Sequence, residues 1–523
     1  MYKRSKSLPR ALGGSLLALT FVATATGAAD AKRDPGGYLT SDDPFITLAS
    51  GLPSGASVTA IISSGESLNG FQFQGLPDGI GVRPGEAKHT VDVYVAHEET
   101  TVPFFGTADF QNASVSKLTL STKGGHGQGG ILGASVALSP DDGFRRFCSA
   151  SMAGPAEGFD DYVFFTGEET NDPGLSSNPP LYGPDVFPGD GTRQGGLAVA
   201  LNTETGEDVA IPGMGRLNHE NTIALPDYEQ ITLLTTDDTF NRPSAQVYMY
   251  LADDQESVFA DEGDLWAFRV TAKNGTPVNP ADAFNGANDY GDVQPGDDFA
   301  GEFIPVPEEI AKGTTDELPQ DALENWSNDN NVFQFVRAED IAYDKNDNTV
   351  VYMADTGGSG VGPAVDENGD PTTGRLARSN TESISPNGAI FRFDFNDDDP
   401  KVVDSFTKLA QGDDDTMGGY VPFLSPDNLD TSKKSLMVQE DTDGAKVWQY
   451  RLRQETWRPV ATVNDQDGES SGIVDVSEWF GGGTWLLDVQ GHGLWIDESF
   501  DFDTGVTSKL ESGQLMLMKI PGS

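Results

Sequence analysis

The sequence predicts an all-β protein, a six-bladed β-propeller with long inserted loops and a few short helices. Three observations predict it. Helical periodicity is scarce, with residues 307–311 and 319–326 as the short candidates. The other apolar runs are short and bounded by Gly, Asp, Asn and Pro, in a chain with 61 Gly and 31 Pro, as expected of strands joined by turns. One unit also recurs six times: an apolar strand that ends in acidic or polar residues, a loop, then an alternating strand.

The six copies are residues 91–99 then 115–120, 162–169 then 196–201, 231–238 then 245–250, 350–355 then 388–393, 435–441 then 446–450, and 484–492 then 514–519. Their spacing is uneven because the stretches 170–195 and 357–387 are long, which a propeller tolerates in its surface loops. A pair of sandwiches is the competing architecture. It leaves unexplained why acids recur at the same end of the same strand.

In a propeller the innermost strands run along a central channel in one direction, so their ends converge on one mouth. Carboxylates gathered there repel one another unless cations neutralise them. The repeat therefore predicts a multi-carboxylate metal site that draws on Glu98, Glu168 or Glu169, Glu220, Glu339 and Glu440. The competing explanation is that strand-terminal acids start turns, as Asp often does; Glu is a poor turn former. Acidic loops at 344–348 and 464–468 read as ordinary turns, since neither follows the full EF-hand pattern.

Bulk properties narrow the function. The chain has 523 residues, 33 Lys+Arg against 82 Asp+Glu, and a formal net charge of −49. That balance argues against a nucleic acid or anionic membrane as partner. It suits a protein that holds divalent cations or stays soluble in salt. Lys3, Arg4, Lys6 and Arg10 precede an apolar stretch from Leu12 to Val22, and Ala29-Asp30-Ala31 offers a cleavage site. Residues 1–31 thus read as a general secretory signal without a twin-arginine pair, and 32–523 as a single propeller domain. The expectation is a secreted, monomeric protein, periplasmic or extracellular. The lone cysteine, Cys148, excludes an internal disulfide framework; it is a buried small hydrophobe, a free thiol or a metal ligand.

Polar clusters sit shortly before several of the repeated strands: His219-Glu220-Asn221, Arg337-Ala338-Glu339-Asp340, Pro426-Asp427-Asn428 and residues 470–475. Together with Pro77-Asp78-Gly79, His97-Glu98, Arg146-Phe147-Cys148-Ser149, Gly167-Glu168-Glu169, Gln439-Glu440-Asp441 and Asp488-Val489-Gln490 with His492, they form an ordered set across residues 70–520. In this order and spacing the chain resembles the PhoX-type alkaline phosphatase family. The resemblance implies a six-bladed propeller with calcium, and in characterised members iron, at the channel mouth. It implies Cys148 as thiolate ligand, Glu98, Glu168 or Glu169, Glu220, Glu339 and Glu440 as carboxylate ligands, and Arg337 as phosphate clamp, with Arg337 and Glu339 as the catalytic pair. His97, His219, Asn221, Asp427, Asn428, Asp441 and His492 would stand behind them, although a lone histidine is more often a satisfied hydrogen-bond partner than a ligand.

Two departures qualify what the resemblance implies. The segment after Cys148 is longer than the family's and lacks its tryptophan, and Ala338 stands where the family has proline. The expected activity is metal-dependent hydrolysis of a small phosphate ester, with Ca2+ favoured over Fe3+ by the oxygen donors and the secretory route. The alternatives are a catalytically reduced calcium-binding propeller serving as an extracellular surface or scaffold protein, and a phytase-like propeller hydrolase or lactonase.

Overall fold

The computed structural model describes residues 36–99, 107–124, 127–170, 184, 193–239, 245–282, 285–358, 387–464, 468–501 and 506–523. The signal segment 1–31 lies outside these residues, as does most of the long stretches 170–195 and 357–387. The chain is all-β with few helices, in a propeller-like arrangement of antiparallel sheets. The short helices fall near the sequence-predicted places, at Glu308–Ala311 and Pro319–Asp329. Among the described residues, no helix is long and apolar enough to cross a membrane.

Four sheets stand separately. One is the meander Pro77–Pro84, Thr90–His97, Ser114–Ser121, Ile131–Leu138; the next is Phe147–Ala153, Val163–Glu168, Ala198–Asn202, Asp208–Ile211. A third runs Pro426–Thr431, Ser435–Glu440, Lys446–Arg451, Thr456–Val463, with Ile46–Leu48 added at its outer edge. The fourth combines Glu469–Asp475, Thr484–Asp501 and Val506–Lys519 with Ser57–Ser63, so both ends of the chain build it. Besides a small two-stranded hairpin, Ser67–Leu68 with Phe71–Gln72, the remaining sheet has ten strands. It holds two meanders, His219–Leu225 to Asp264–Lys273 and Ala338–Asp344 to Val402–Gln411, and Phe299–Pro305 pairs with the last strand of each. That strand removes two open edges at once, a common liability of antiparallel sheets.

The first strand of each meander packs against the first strand of the next. Pro77–Pro84 meets Phe147–Ala153, which meets His219–Leu225, then Ala338–Asp344, Pro426–Thr431 and Glu469–Asp475, which returns to Pro77–Pro84. These innermost strands are not the apolar, acid-ended strands of the sequence repeat. Those strands are the second in each meander, and the polar clusters before them form the inner strands. The clusters escape the strand pattern because an inner strand is bulged and lined by polar groups, so its alternation is broken. Gly79 shows how closely these strands approach: a Cβ there would lie 2.0 Å from the backbone nitrogen of Ala150 on the neighbouring inner strand.

Between the two meanders of the ten-stranded sheet lies an aromatic core. Phe406, fully buried, has its ring 4.7 Å from Phe393, 5.2 Å from Phe333, 5.3 Å from Phe391 and 5.5 Å from Phe268, centroid to centroid. Edge-to-face and offset pairs add to the burial of the rings themselves. The substitution Phe406→Ala is expected to lower unfolding free energy by about 3–5 kcal/mol, read as a shift in the denaturant midpoint. An unchanged midpoint would show that this core does not carry the sheet.

Candidate metal centre

Each inner strand is bulged near its start. The pairing register shifts between Pro77 and Ile80, Phe147 and Ala150, His219 and Thr222, Ala338 and Ile341, Pro426 and Leu429, and Ser470 and Ile473. A bulge inserts an unpaired residue and re-aims its side chain. In the first five strands the first residue of the bulge is Asp78, Cys148, Glu220, Glu339 and Asp427.

The second strands end at the same mouth because they run antiparallel to the first. Their last paired residues are His97, Glu168, Asp237, Asp355, Glu440 and Gln490. Alternation of side chains along a strand then splits consecutive residues between two faces. Four of these terminal acids turn back into their own sheet and accept backbone N–H groups from the segment entering the inner strand. Glu168 accepts from Arg145 at 3.1 Å, Asp355 from Val336 at 2.9 Å, Glu440 from Leu424 at 3.1 Å, and Asp237 from Asn218. After Glu168, Asp237 and Glu440 the following acid faces the mouth, Glu169, Asp238 and Asp441, as does Glu98 after His97; Thr356, after Asp355, donates to the Pro426 carbonyl instead.

Bulge residues and strand-end residues meet in four overlapping groups. Within each group, ligand-capable atoms lie within 4.8 Å of one another: Asp78–Glu98–Cys148, Cys148–Glu169–Glu220, Glu220–Glu339–Asp427, and Glu98–Glu469–His492. Shared members make the groups one continuous belt. Two arginines are tied into it. Arg337 grips Asp238 bidentately at 3.0 and 2.8 Å and reaches Glu339 at 3.0 Å, with Asp441 at 3.9 Å. Arg146 bridges Glu98 at 2.9 Å and Glu169 at 2.8 Å. Gln490 donates to Asp78 at 2.6 Å and Glu98 at 3.1 Å.

Burial and mutual repulsion push several of these carboxyls toward their protonated forms, whereas His492 holds Glu469 down at about 2 against the effect of burial. Burial first, then Glu169, Asp427 and Asp238, raises Glu220 well above the ordinary carboxylate range. Burial likewise raises Glu339 against the pull of Arg337, and raises Asp78 and Asp427 with help from neighbouring acids. Glu469, followed by burial, lifts Asp441 to about 8. Burial and four acids raise the Cys148 thiol. Both carboxylate oxygens of Glu220 are buried without a hydrogen-bond partner, as is one of Asp78. Buried carboxylates left in this state are costly, and a bound cation removes the cost. The donor set fits one: hard carboxylate oxygens suit Ca2+, and the single thiolate suits a softer transition metal.

The family described as Alkaline phosphatase PhoX matches residues 198–469, just over half of the chain. The chain belongs to the PhoX alkaline phosphatase family. It is therefore a phosphoric ester hydrolase, and members of this family are metal-dependent. The PhoX match takes in Glu220, Asp238, Arg337, Glu339, Asp427, Asp441 and Glu469. Asp78, Glu98, Arg146, Cys148 and Glu169 precede it. No curated protein matches the chain. Among solved structures, a glycosyl hydrolase from Bacteroides ovatus is 9% identical, covering 74% of this chain and 84% of its own, at a TM-score of 0.31. A protein described as a 6-phosphogluconolactonase, from Bacteroides fragilis, is 9% identical over 82% of this chain and 95% of its own, at 0.32. Neither score supports an argument.

Of the sequence-predicted residues, Glu98, Cys148, Glu169, Glu220, Glu339, Asp427 and His492 come together in the belt, with Arg337 and Asp441 beside them. Glu168 does not; it turns to the backbone of Arg145, under the charge of buried Arg216. Glu440 does not either. Its oxygens take Leu424 N–H, Lys446 N–H at 2.8 Å and the Trp448 indole at 2.8 Å. His97 bridges Gly75 carbonyl and Ser116 hydroxyl, and His219 bridges Gly215 carbonyl and Thr235 hydroxyl. Burial drives both imidazoles down to about 4, so they are neutral structural links. Asn221 donates to Asp340 beneath the belt, and Asn428 is buried beside Asp427.

Sequence reasoning gave no site role to Asp78, Arg146, Asp238 or Glu469. A doublet at the bulge, an acid or Cys followed by Gly, Ser, Asn or Asp, recurs at five inner strands and would have found Asp78. The substitution Glu220→Gln is expected to lower the divalent-cation content of protein purified without chelators. Glu440→Ala should leave that content unchanged and cost about 1–3 kcal/mol of stability through stranded donors. Equal cation loss in both would contradict this assignment.

Proposed function

We propose that this protein is an exported phosphatase that hydrolyses small phosphate monoesters at a multi-carboxylate calcium site in the mouth of a six-bladed propeller. The observation that supports it most is the belt itself: Glu220 with two unpartnered buried oxygens, against Glu339, Asp427, Glu169 and Cys148, in a chain of the PhoX family. The closed circuit of inner-strand contacts supports six blades, each meander being one blade and Phe299–Pro305 a bridge between two. The basic and apolar N-terminal segment, with its Ala29-Asp30-Ala31 site, supports export and a single remaining domain.

Asp78, Glu98, Cys148, Glu169, Glu220, Glu339 and Asp427 would hold the cations, with calcium favoured by the excess of oxygen over sulfur donors. When bound, the cations supply charge that polarises phosphoryl oxygens and lowers the pKa of an attacking water. The chain's own groups do the positioning. Asp238 fixes Arg337 by two parallel contacts, so the guanidinium needs no ordering when a phosphate arrives. Its charge offsets the repulsion that a −49 protein exerts on an anionic ester.

The test is hydrolysis of a chromogenic phosphate monoester with Ca2+ supplied. Turnover is expected, with loss on chelation and recovery on re-addition. Arg337→Ala should lower kcat/KM by about 100-fold or more while the protein stays folded. Full activity in Arg337→Ala, or turnover that survives chelation, would overturn the reading.

A further inference from the structure

Two guanidinium groups reach the acidic mouth, and Arg337 alone accounts for one phosphate. Arg146 stands two residues before Cys148 with a backbone φ of +49°, a region few residues other than glycine adopt. Two backbone bonds hold it there. Its N–H donates to the Glu99 carbonyl, and its own carbonyl accepts from Glu169 N–H, each at 2.9 Å. The strained turn brings the side chain over the belt, where Nε and a terminal nitrogen engage Glu98 and Glu169.

Exposure separates this arginine from a structural one. Arg216 is fully buried, with its guanidinium spent on the carbonyls of Gln194 and Gly195. Arg146 keeps 34% of its side chain exposed, although Glu98 and Glu169 beneath it are buried. Arg337, the other guanidinium tied into the belt among the described residues, is 21% exposed. Arg146 pairs with Glu169 at 2.8 Å, and the charge of Arg337 also acts on Glu169, so the two arginines share this carboxylate's surroundings. Among the described residues, the mouth thus carries two partly exposed guanidinium groups, with His492 on the far side of Glu98, along a rim otherwise dominated by carboxylates.

We propose that Arg146 is a second anion-binding arm, which fits the site to phosphate esters whose alcohol part bears another anionic group, a carboxylate or a second phosphate. Resting on the phosphatase reading, it gives that reading a substrate class. Arg337 takes the phosphoryl group to be cleaved and Arg146 takes the second anion, each through the exposed part of a guanidinium whose Nε side is already held by carboxylates. Without such an arm a second negative charge would be a handicap, because the rim carboxylates would repel it. The reaction is unchanged: water adds to phosphorus, the ester P–O bond breaks, the alcohol leaves with a proton, and the second anion stays intact.

The experiment compares phenyl phosphate with 4-carboxyphenyl phosphate on the Ca2+-loaded full chain. The kcat/KM ratio of 4-carboxyphenyl phosphate to phenyl phosphate is expected to fall by about tenfold or more in Arg146→Gln relative to wild type, with Arg146→Lys between them. Taking the ratio cancels a general loss of active protein and the difference between leaving groups. Calorimetric titration with phenylphosphonate and 4-phosphonobenzoate reads the same preference without turnover. An unchanged ratio and unchanged relative affinity in Arg146→Gln would overturn the proposal. If wild type hydrolyses neither ester, the phosphatase reading fails, and the titration still decides whether Arg146 binds the second anion.

Discussion

The structure depends on a concentration of like charge that the fold itself creates. Successive inner strands start at one mouth, and their bulges turn Asp78, Glu220, Glu339 and Asp427 toward a common space. Each carboxylate raises its neighbours' affinity for protons, and burial does so further. No rearrangement of side chains alone escapes this, because bulge and register fix where each carboxylate begins. Neutralisation must come from outside the acids. Arg146 and Arg337 supply part of it at the rim, while Glu220 lies beyond the contacts of either.

The rest of the sheet architecture keeps that space in register. The fourth separate sheet is built from both ends of the chain, and from it Gln490 reaches across to Asp78 and Glu98 on the first. His492 lies 3.7 Å from Glu469 of the same sheet, and the imidazole is held protonated by that carboxylate against the effect of burial. Closure of the ring and completion of the belt are therefore one event. Residues separated by some 400 positions share a hydrogen bond only when the first and last sheets have met.

Much of this was legible in the sequence, and the misses have a common cause. The acid-ended strands, their order and the short helices could be read because they are regular: period-two alternation with turn residues at the ends. The innermost strands could not, because Asp78-Gly79, Glu220-Asn221 and Glu339-Asp340 look like loop sequences. They are strands only through pairing with partners that sequence periodicity does not reveal. Cys148 and Arg337 were readable because they are rare residue types in a resembling motif. Asp238 was not, since one acid in an aspartate pair carries no mark of its direction.

That direction is what decides ligand from scaffold. At Glu168-Glu169, Asp237-Asp238 and Glu440-Asp441 the first acid receives backbone N–H groups and the second faces the mouth. A carboxylate that accepts two or three fixed donors is already satisfied, so it can stay charged and buried without a cation. Glu440, with Leu424, Lys446 and Trp448 donating, is of this kind. Glu220, buried to the same degree with neither oxygen partnered, is not. Burial raises both carboxyls, but at Glu440 the charge of Lys446, the Trp448 indole and two backbone N–H groups oppose it, whereas at Glu220 the neighbouring acids add to it. The acid doublet therefore works as a unit: its first member locks the entry to the inner strand, and that lock holds the second member at the mouth, where Arg146 meets Glu169 and Arg337 meets Asp238.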